Sequence, residues 1–294
     1  MEPVIEVTEL SFLYKDGTRA LDKCSLTIER GTKVAILGPN GSGKSTLLLH
    51  LNGIHVVQQG TVKVLEETVS PSNEQWLRSK VGLVFQDPDD QIFSGTVWED
   101  VAFGPVNQGL RGEELEARVR QALRFVKMEQ YSRKVPYHLS YGQKKRVAIA
   151  GVLAMNPDII VLDEPVAFLD PAGKRALFEL LDQLNRQGKT IVAATHNVDI
   201  AARWAHKIII LSEGRVLAQG TPALLTDKTI VQEAELELPA VTEIFAPFPD
   251  LCKPKTPVTV EEAQNIIKQL VTNSSRGRFV RREKGASYNG WESH

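Results

Sequence analysis

The stretch Gly38-Pro39-Asn40-Gly41-Ser42-Gly43-Lys44-Ser45-Thr46 decides how the rest of the chain is read. An apolar run, Val34-Ala35-Ile36-Leu37, leads into it. Leu47-Leu48-Leu49-His50-Leu51 follows, and Asn52-Gly53 is set to cap a helix end. Strand, glycine-rich loop and helix form the context in which G-x-x-x-x-G-K-[ST] cradles phosphate. Glycines let successive backbone N–H groups turn inward and leave room for phosphate oxygens. Lys44 is placed to reach the β- and γ-phosphates, and the Ser45 hydroxyl to ligate Mg2+. The positive end of the helix favours the same anion. A merely flexible Gly/Ser loop would need neither the strand before it nor the helix after it. The stretch points to a nucleoside triphosphate site.

Upstream, Ile5-Glu6-Val7-Thr8 and Cys24-Ser25-Leu26-Thr27-Ile28 alternate like half-buried strands, with a turn at Asp16-Gly17. Tyr14 in this antiparallel region is either a sheet aromatic or a platform for a nucleotide base. Downstream, Thr61-Val62-Lys63-Val64 and Val81-Gly82-Leu83-Val84-Phe85 read as strands, and Gln86 ends the second. Gln86 is polar punctuation, or it places an amide near a metal or an attacking water. Leu115, Val119, Ala122, Leu123 and Val126 lie on one helical stripe, within a helical block over about 88–154. Ser140 and Gln143 have capping-box spacing, so a helix starts at Ser140. Ile159-Ile160-Val161-Leu162 is a strand buried on both faces and ends in Asp163-Glu164. Beside a phosphate loop Asp163 can hold Mg2+, and Glu164 can accept a proton from attacking water. A helix from Gly173 to Gln187-Gly188 precedes another buried strand, Thr190-Ile191-Val192-Ala193-Ala194. His196, just beyond it, is structural or contacts a γ-phosphate. A hairpin over 208–218 closes this part. Strands alternating with helices indicate a parallel sheet covered on both faces.

At 294 residues the chain can hold one large domain and something smaller. A formal net charge of −1 gives no general attraction to nucleic acid. Cys24 and Cys252 have neither metal-ligand nor redox spacing and suit a reducing compartment. Residues 1–6 carry no basic or apolar leader pattern, so no signal peptide is expected. No apolar run approaches the roughly 18 residues of a membrane span. A cytoplasmic chain able to dock on a membrane protein is expected.

Over about residues 3–235 these motifs together resemble the ATP-binding cassette (ABC) ATPases. Residues 38–46 match the Walker A motif, Gln86 the Q-loop glutamine, and 139–143 the signature. Residues 159–164 match Walker B with its catalytic glutamate, Phe168-Leu169-Asp170 the D-loop, and His196 the switch histidine. Tyr14 sits where the family places its base-stacking aromatic. The signature departs from the common L-S-G-G-Q at Tyr141 but keeps Ser140, Gly142 and Gln143. The resemblance implies an α/β fold: a P-loop ATPase core with a mixed sheet, an antiparallel β subdomain and a helical subdomain. It also implies ATP and Mg2+ as ligands, with Ser45, Gln86 and Asp163 as the metal's residues. The signature would complete the ATP site of a second copy of the chain in a homodimer.

Residues 85–93, 96–105 and 143–155 are similar to the ATPases of energy-coupling-factor importers, and the Lys144-Lys145-Arg146 helix to their cobalt and nickel branch. That similarity implies a peripheral subunit on the cytoplasmic face of the cell membrane. Its partners would be a transmembrane coupling subunit and a substrate-binding membrane subunit, with no nucleic acid. The segment 87–105 would be the docking surface, through Ile92, Phe93, Val97 and Trp98, unless those residues are buried in the helical block. With six scattered histidines and no Cys/His cluster, the chain is not expected to hold the transported ion. Cobalt is the first expectation for the cargo, then nickel, then a vitamin. Two rivals are a soluble ABC ATPase acting on nucleic acid or ribosomes and a non-catalytic regulatory cassette. The first usually has paired cassettes or long coiled-coil insertions, and the second loses residues such as Glu164 or His196.

The expected division is a cassette over 1–235 and an extension over 236–294. In the extension, Thr259 and Glu262 form a capping box for one helix with Ala263, Ile266, Ile267 and Leu270 on its apolar face. That helix should pack on the cassette or on its twin in a dimer. From Asn273 a basic, Ser/Gly-rich tail is expected to be disordered.

Overall fold

The computed structural model describes residues 2–252 and 255–283. The chain opens with β1 (Pro3–Leu13), β2 (Arg19–Glu29) and β3 (Lys33–Leu37), then α1 (Lys44–Leu51). Next come β4 (Gln59–Val64), β5 (Glu67–Thr68), α2 (Glu74–Lys80) and β6 (Val81–Val84). The helices α3 (Val97–Asn107), α4 (Gly112–Phe125) and α5 (Tyr141–Ala154) form the helical block. Then β7 (Ile159–Asp163), α6 (Pro171–Arg186), β8 (Thr190–Thr195) and α7 (Val198–Trp204) alternate, and β9 (Lys207–Ser212) and β10 (Arg215–Gly220) make the hairpin. Last are α8 (Lys228–Glu233), α9 (Ala240–Phe245) and α10 (Val260–Glu283).

Two sheets organise these elements. One is antiparallel, in the order β2-β1-β4-β5. The other has the order β10-β9-β3-β8-β7-β6, parallel except for the edge strand β10. The α/β class, mixed sheet, antiparallel part and helical block expected from the motifs are all present.

The parallel strands are apolar between their ends because each face feeds a different core. Ala35, Leu37, Ile160, Leu162, Ile191 and Ala193 pack with the helical block and with α6 and α7. Their neighbours Val34, Ile36, Ile159, Val161, Val192 and Ala194 pack with α1 and the antiparallel sheet. Strand period two thus splits one apolar run between two cores. Leu47, Leu48 and Leu51 of α1 are buried in the second core. Each such burial contributes about 1.5–3 kcal/mol. That anchors the helix whose first turn borders the phosphate loop.

The extension differs from its expected form. It contains α9 as well as α10, and α2 and α8 are likewise additional to the sequence reading. All three span only six or seven residues, too short to show a 3.6-residue period. The Thr259/Glu262 capping box is formed in both directions. From it α10 runs to Glu283. The tail beyond 283 lies outside the described residues. Ala263 and Ile266 pack against Phe245, Cys252 and Val241, so this helix covers its own extension, while Ile267 is exposed. The extension is tied back to the cassette by the Ala240 N–H, which donates to Asp199 Oδ1 at 3.0 Å. Among the described residues no helix is long and apolar enough to cross a membrane.

His50 of α1 is wholly buried, and its Nδ1 donates to the Thr46 carbonyl at 2.7 Å. Burial pushes its pKa down to about 4. The native imidazole therefore stays neutral where the unfolded one, near 6.5, takes a proton. Its stabilising contribution is present above pH 6.5 and is lost as the pH falls toward 4. Urea unfolding at pH 7 and pH 5 should show a loss from this group of roughly 2 kcal/mol. His50→Gln should flatten that dependence; an unchanged slope would refute the assignment.

Candidate functional site

Register places the site. Leu37 of β3 pairs with Thr195 of β8, Ala194 of β8 with Asp163 of β7, and Leu162 of β7 with Val84 of β6. The carboxyl ends of four parallel strands therefore come out level, at the edge where open α/β sheets bind ligands. The phosphate loop, Asp163, Glu164, His196 and Gln86 all leave the sheet there.

The loop between β3 and α1 needs its glycines. A Cβ on Gly38 would collide with the Leu211 carbonyl and come within 2.6 Å of the Ser42 hydroxyl. Gly43, the residue preceding α1, has φ 99° and packs against the Ala20 carbonyl. Lys44 Nζ donates to the Gly38 and Pro39 carbonyls, both at 2.8 Å. Burial holds this ammonium below the ordinary lysine range, against the pull of the Glu164 and Asp163 carboxylates. Ser42 Oγ is buried without a hydrogen-bond partner among the described residues. An unpaired hydroxyl, a buried cation and a glycine cradle fit a polyphosphate.

At Asp163, burial raises the carboxyl above its usual range and the Glu164 charge adds to this. A hydrogen bond from Ser45 and the Lys44 and Lys145 charges act the other way. A hydroxyl, a carboxylate and the Gln86 amide are hard oxygen donors of the kind Mg2+ selects. Glu164 is buried at φ 38°, a left-handed backbone that costs a non-glycine residue about 1–3 kcal/mol. Its N–H donates to the Ala194 carbonyl at 3.0 Å. Its Oε2 accepts from Thr195 Oγ1 at 3.1 Å and its Oε1 from His196 Nδ1 at 2.8 Å. Two residues of the neighbouring strand end thus aim one strained carboxylate.

Tyr14 is drawn to the loop helix: its hydroxyl lies 3.0 Å from Thr46 Oγ1 and 3.4 Å from His55 Nε2. Ser140, Gly142 and Gln143 begin α5. The Gln143 N–H donates to Ser140 Oγ at 3.4 Å, and Gln143 Oε1 accepts from the Ser140 N–H at 3.0 Å. The helix they open is fastened to the Gln86 backbone, not to residues 38–46.

Three participants were not singled out from sequence. Thr195 and His55 sit among ordinary strand and loop residues. Lys145 lies between Lys144 and Arg146, and nothing in that basic triplet tells which side chain turns inward. Its ammonium is buried, donating to the Phe85 carbonyl at 2.8 Å and the Gln86 carbonyl at 2.7 Å. Burial lowers its pKa to about 8, while Asp163, Asp87 and Glu164 pull it back up.

Beside this edge runs an open groove of about 690 Å3, lined by Ile54, Phe85, Ile92, Phe93, Phe103 and Met155 among others. Phe93 and Phe103 are 68% and 50% exposed, with ring centroids 4.9 Å apart. The four apolar residues expected on this surface divide. Phe93 lines the groove exposed and Ile92 lines it while packing half-buried against the core, whereas Val97 is in the core and Trp98 packs half-buried against it outside the groove lining.

Comparison with known proteins agrees with this geometry. The family described as ABC transporter matches residues 21–167. The chain is 45% identical over 271 residues to the energy-coupling factor transporter ATP-binding protein EcfA of Carboxydothermus hydrogenoformans, covering 92% of this chain and 100% of that one. Among solved structures, CbiO1 from Clostridium perfringens, part of the ABC transporter complex CbiONQ, superposes with a TM-score of 0.71 at 40% identity, over 84% of this chain and 100% of that one. A dimeric post-hydrolysis ATP-binding cassette bound to ADP and phosphate matches with a TM-score of 0.69 at 32% identity, over 74% of this chain and 98% of that one.

The close approach at Gly38 makes a direct prediction. Gly38→Ala should weaken binding of a fluorescent ATP analogue by at least about tenfold, ~1.4 kcal/mol, with a native circular dichroism spectrum. Unchanged affinity would mean the loop does not depend on that contact.

Proposed function

This chain belongs to the ABC transporter family, and on that footing we propose that it is the motor subunit of an energy-coupling-factor importer of a transition-metal ion, cobalt foremost. ATP hydrolysis with Mg2+ and the energy-coupling-factor subunit class follow from the family and the EcfA relative. The cargo is a narrower inference. The EcfA name states no cargo, and support for a metal comes from the likeness to CbiO1 and from the Lys144-Lys145-Arg146 helix.

The observation that carries the residue roles is the level strand edge, which gathers the phosphate loop, two acidic residues and a histidine. The loop residues Gly38, Pro39, Asn40, Gly41, Ser42, Gly43, Lys44, Ser45 and Thr46 hold the phosphates, and Tyr14 takes the base. To bind them, Lys44 exchanges its two loop carbonyls for phosphate oxygens. Ser45, Asp163 and Gln86 are the residues for Mg2+, which supplies charge neutralisation at the β- and γ-phosphate oxygens. Glu164 takes the proton of the attacking water, oriented by Thr195 and His196. His196, largely exposed, can turn from Glu164 toward the γ-phosphate.

Ser140, Gly142 and Gln143 serve the ATP site of a second copy in a C2 homodimer. The aromatic groove beside Gln86 receives a helix of the transmembrane coupling subunit, which places the chain peripherally on the cytoplasmic face of the membrane. Residues 1–235 act as the cassette, with 88–154 as its helical part, and 236–294 as an accessory extension.

Glu164→Gln should lower ATP turnover by about 100-fold or more and accumulate an ATP-bound dimer, as expected for loss of a general base. Lys44→Ala should lose ATP binding itself. Wild-type turnover in Glu164→Gln would sink the assignment. In cells expressing the whole transporter, Glu164→Gln should abolish uptake of radiolabelled cobalt. Metal uptake that never exceeds background, with ATPase activity intact, would point to another cargo such as a vitamin.

A further inference from the structure

The signature position where this chain departs from the common L-S-G-G-Q, Tyr141, has a use of its own in the fold. Its side chain is half-buried and reaches two other segments. The hydroxyl donates to the Gln86 carbonyl at 3.0 Å. The ring meets Phe168 edge-on, with centroids 5.4 Å apart. Phe168 lies four residues beyond Glu164, is 79% exposed, and has φ 59°. Tyr141 therefore touches the segment before the helical block and the segment after the catalytic carboxylate at once.

It does not act alone. Lys145 stands one turn further along α5, on the same face. Its buried ammonium donates to the Gln86 carbonyl as well, so both lone pairs of that oxygen are taken by one helix. Lys144 adds a 2.7 Å ion pair to Asp89. The start of α5 thus grips residues 85–89 by four hydrogen bonds to three acceptors: two backbone carbonyls, one of them shared, and a carboxylate. Phe85, inside this grip, also lines the groove beside it. These contacts join the groove wall, through Phe85 and Gln86, to α5 and, through the Tyr141 ring, to the segment carrying Phe168.

We propose that Tyr141 is a positioning residue that latches the signature helix, residues 85–89 and the Phe168 segment into one body, so that the groove and the hydrolytic edge move together. A glycine at this position makes neither contact, so the latch requires the tyrosine side chain. The role in turnover rests on the reading of the chain as an ATPase that docks a membrane subunit in the groove; the mechanical contact does not.

Two variants dissect it. Tyr141→Phe removes the hydroxyl and keeps the ring against Phe168, and Tyr141→Gly removes both. In the full-length chain, hydrogen–deuterium exchange at residues 85–91 should quicken about three- to tenfold in Tyr141→Phe, the range one neutral hydrogen bond carries. Tyr141→Gly should loosen residues 166–170 in addition. In the assembled transporter, Tyr141→Phe should lower kcat for ATP by a similar factor with KM unchanged, because Tyr141 does not line the phosphate loop. Unchanged exchange in both variants would overturn the latch whether or not the chain hydrolyses ATP. Quickened exchange with unchanged kcat would overturn its role in turnover. Absence of hydrolysis in the wild type would count against the ATPase reading and leave the exchange result to decide the latch.

Discussion

In-register parallel pairing of β3, β8, β7 and β6 is the constraint on which the rest depends. It needs strands that can be buried on both faces, and the near-continuous Val, Ile, Leu and Ala runs supply them. Once the pairs align, a cation from one connection and carboxylates from another emerge at the same height without further instruction. Neither the loop nor Glu164 could be aimed by local sequence alone. Phosphate chemistry here is a product of strand register.

That alignment also explains how an uncomfortable residue is tolerated. Glu164 combines burial, negative charge and a left-handed backbone, any of which alone destabilises. It is held by a backbone hydrogen bond to β8 and by two side chains from the same strand end. The hydrogen bonds offset the desolvation of the carboxylate, and the rigid sheet over-determines its φ. Lys44 is treated alike: a buried ammonium satisfied by two carbonyls of its own loop. Both groups are kept desolvated yet bonded, the condition in which a charge responds most strongly to a ligand.

Sequence made the strand–loop–helix core legible because its signals are local: apolar runs, glycines at fixed spacing, and capping pairs at 140/143 and 259/262 that the structure forms in both directions. Elements of six or seven residues such as α2 and α9 were illegible, since they span under two turns and bury one or two side chains. Lys145 was hidden for another reason. Which of three consecutive basic residues turns inward depends on where Gln86 lies in space, and no window of sequence holds that information. The split of the apolar set at 92–98 between core and groove has the same origin.

The two sheets differ in one further respect. Each parallel pair within the six-stranded sheet runs without a register shift, and its residues alternate between two separate cores. β1, in contrast, breaks register four times against β2 and carries Glu9 at φ 47°. Inserting or deleting one residue in β7 would exchange the two cores wholesale and turn Asp163 to the opposite face. The same change in β1 can be taken up by one bulge more or less. Length variation between descendants of this chain should therefore collect in the antiparallel sheet and its turns, while the strands beneath the catalytic edge keep their residue count even where their side chains drift.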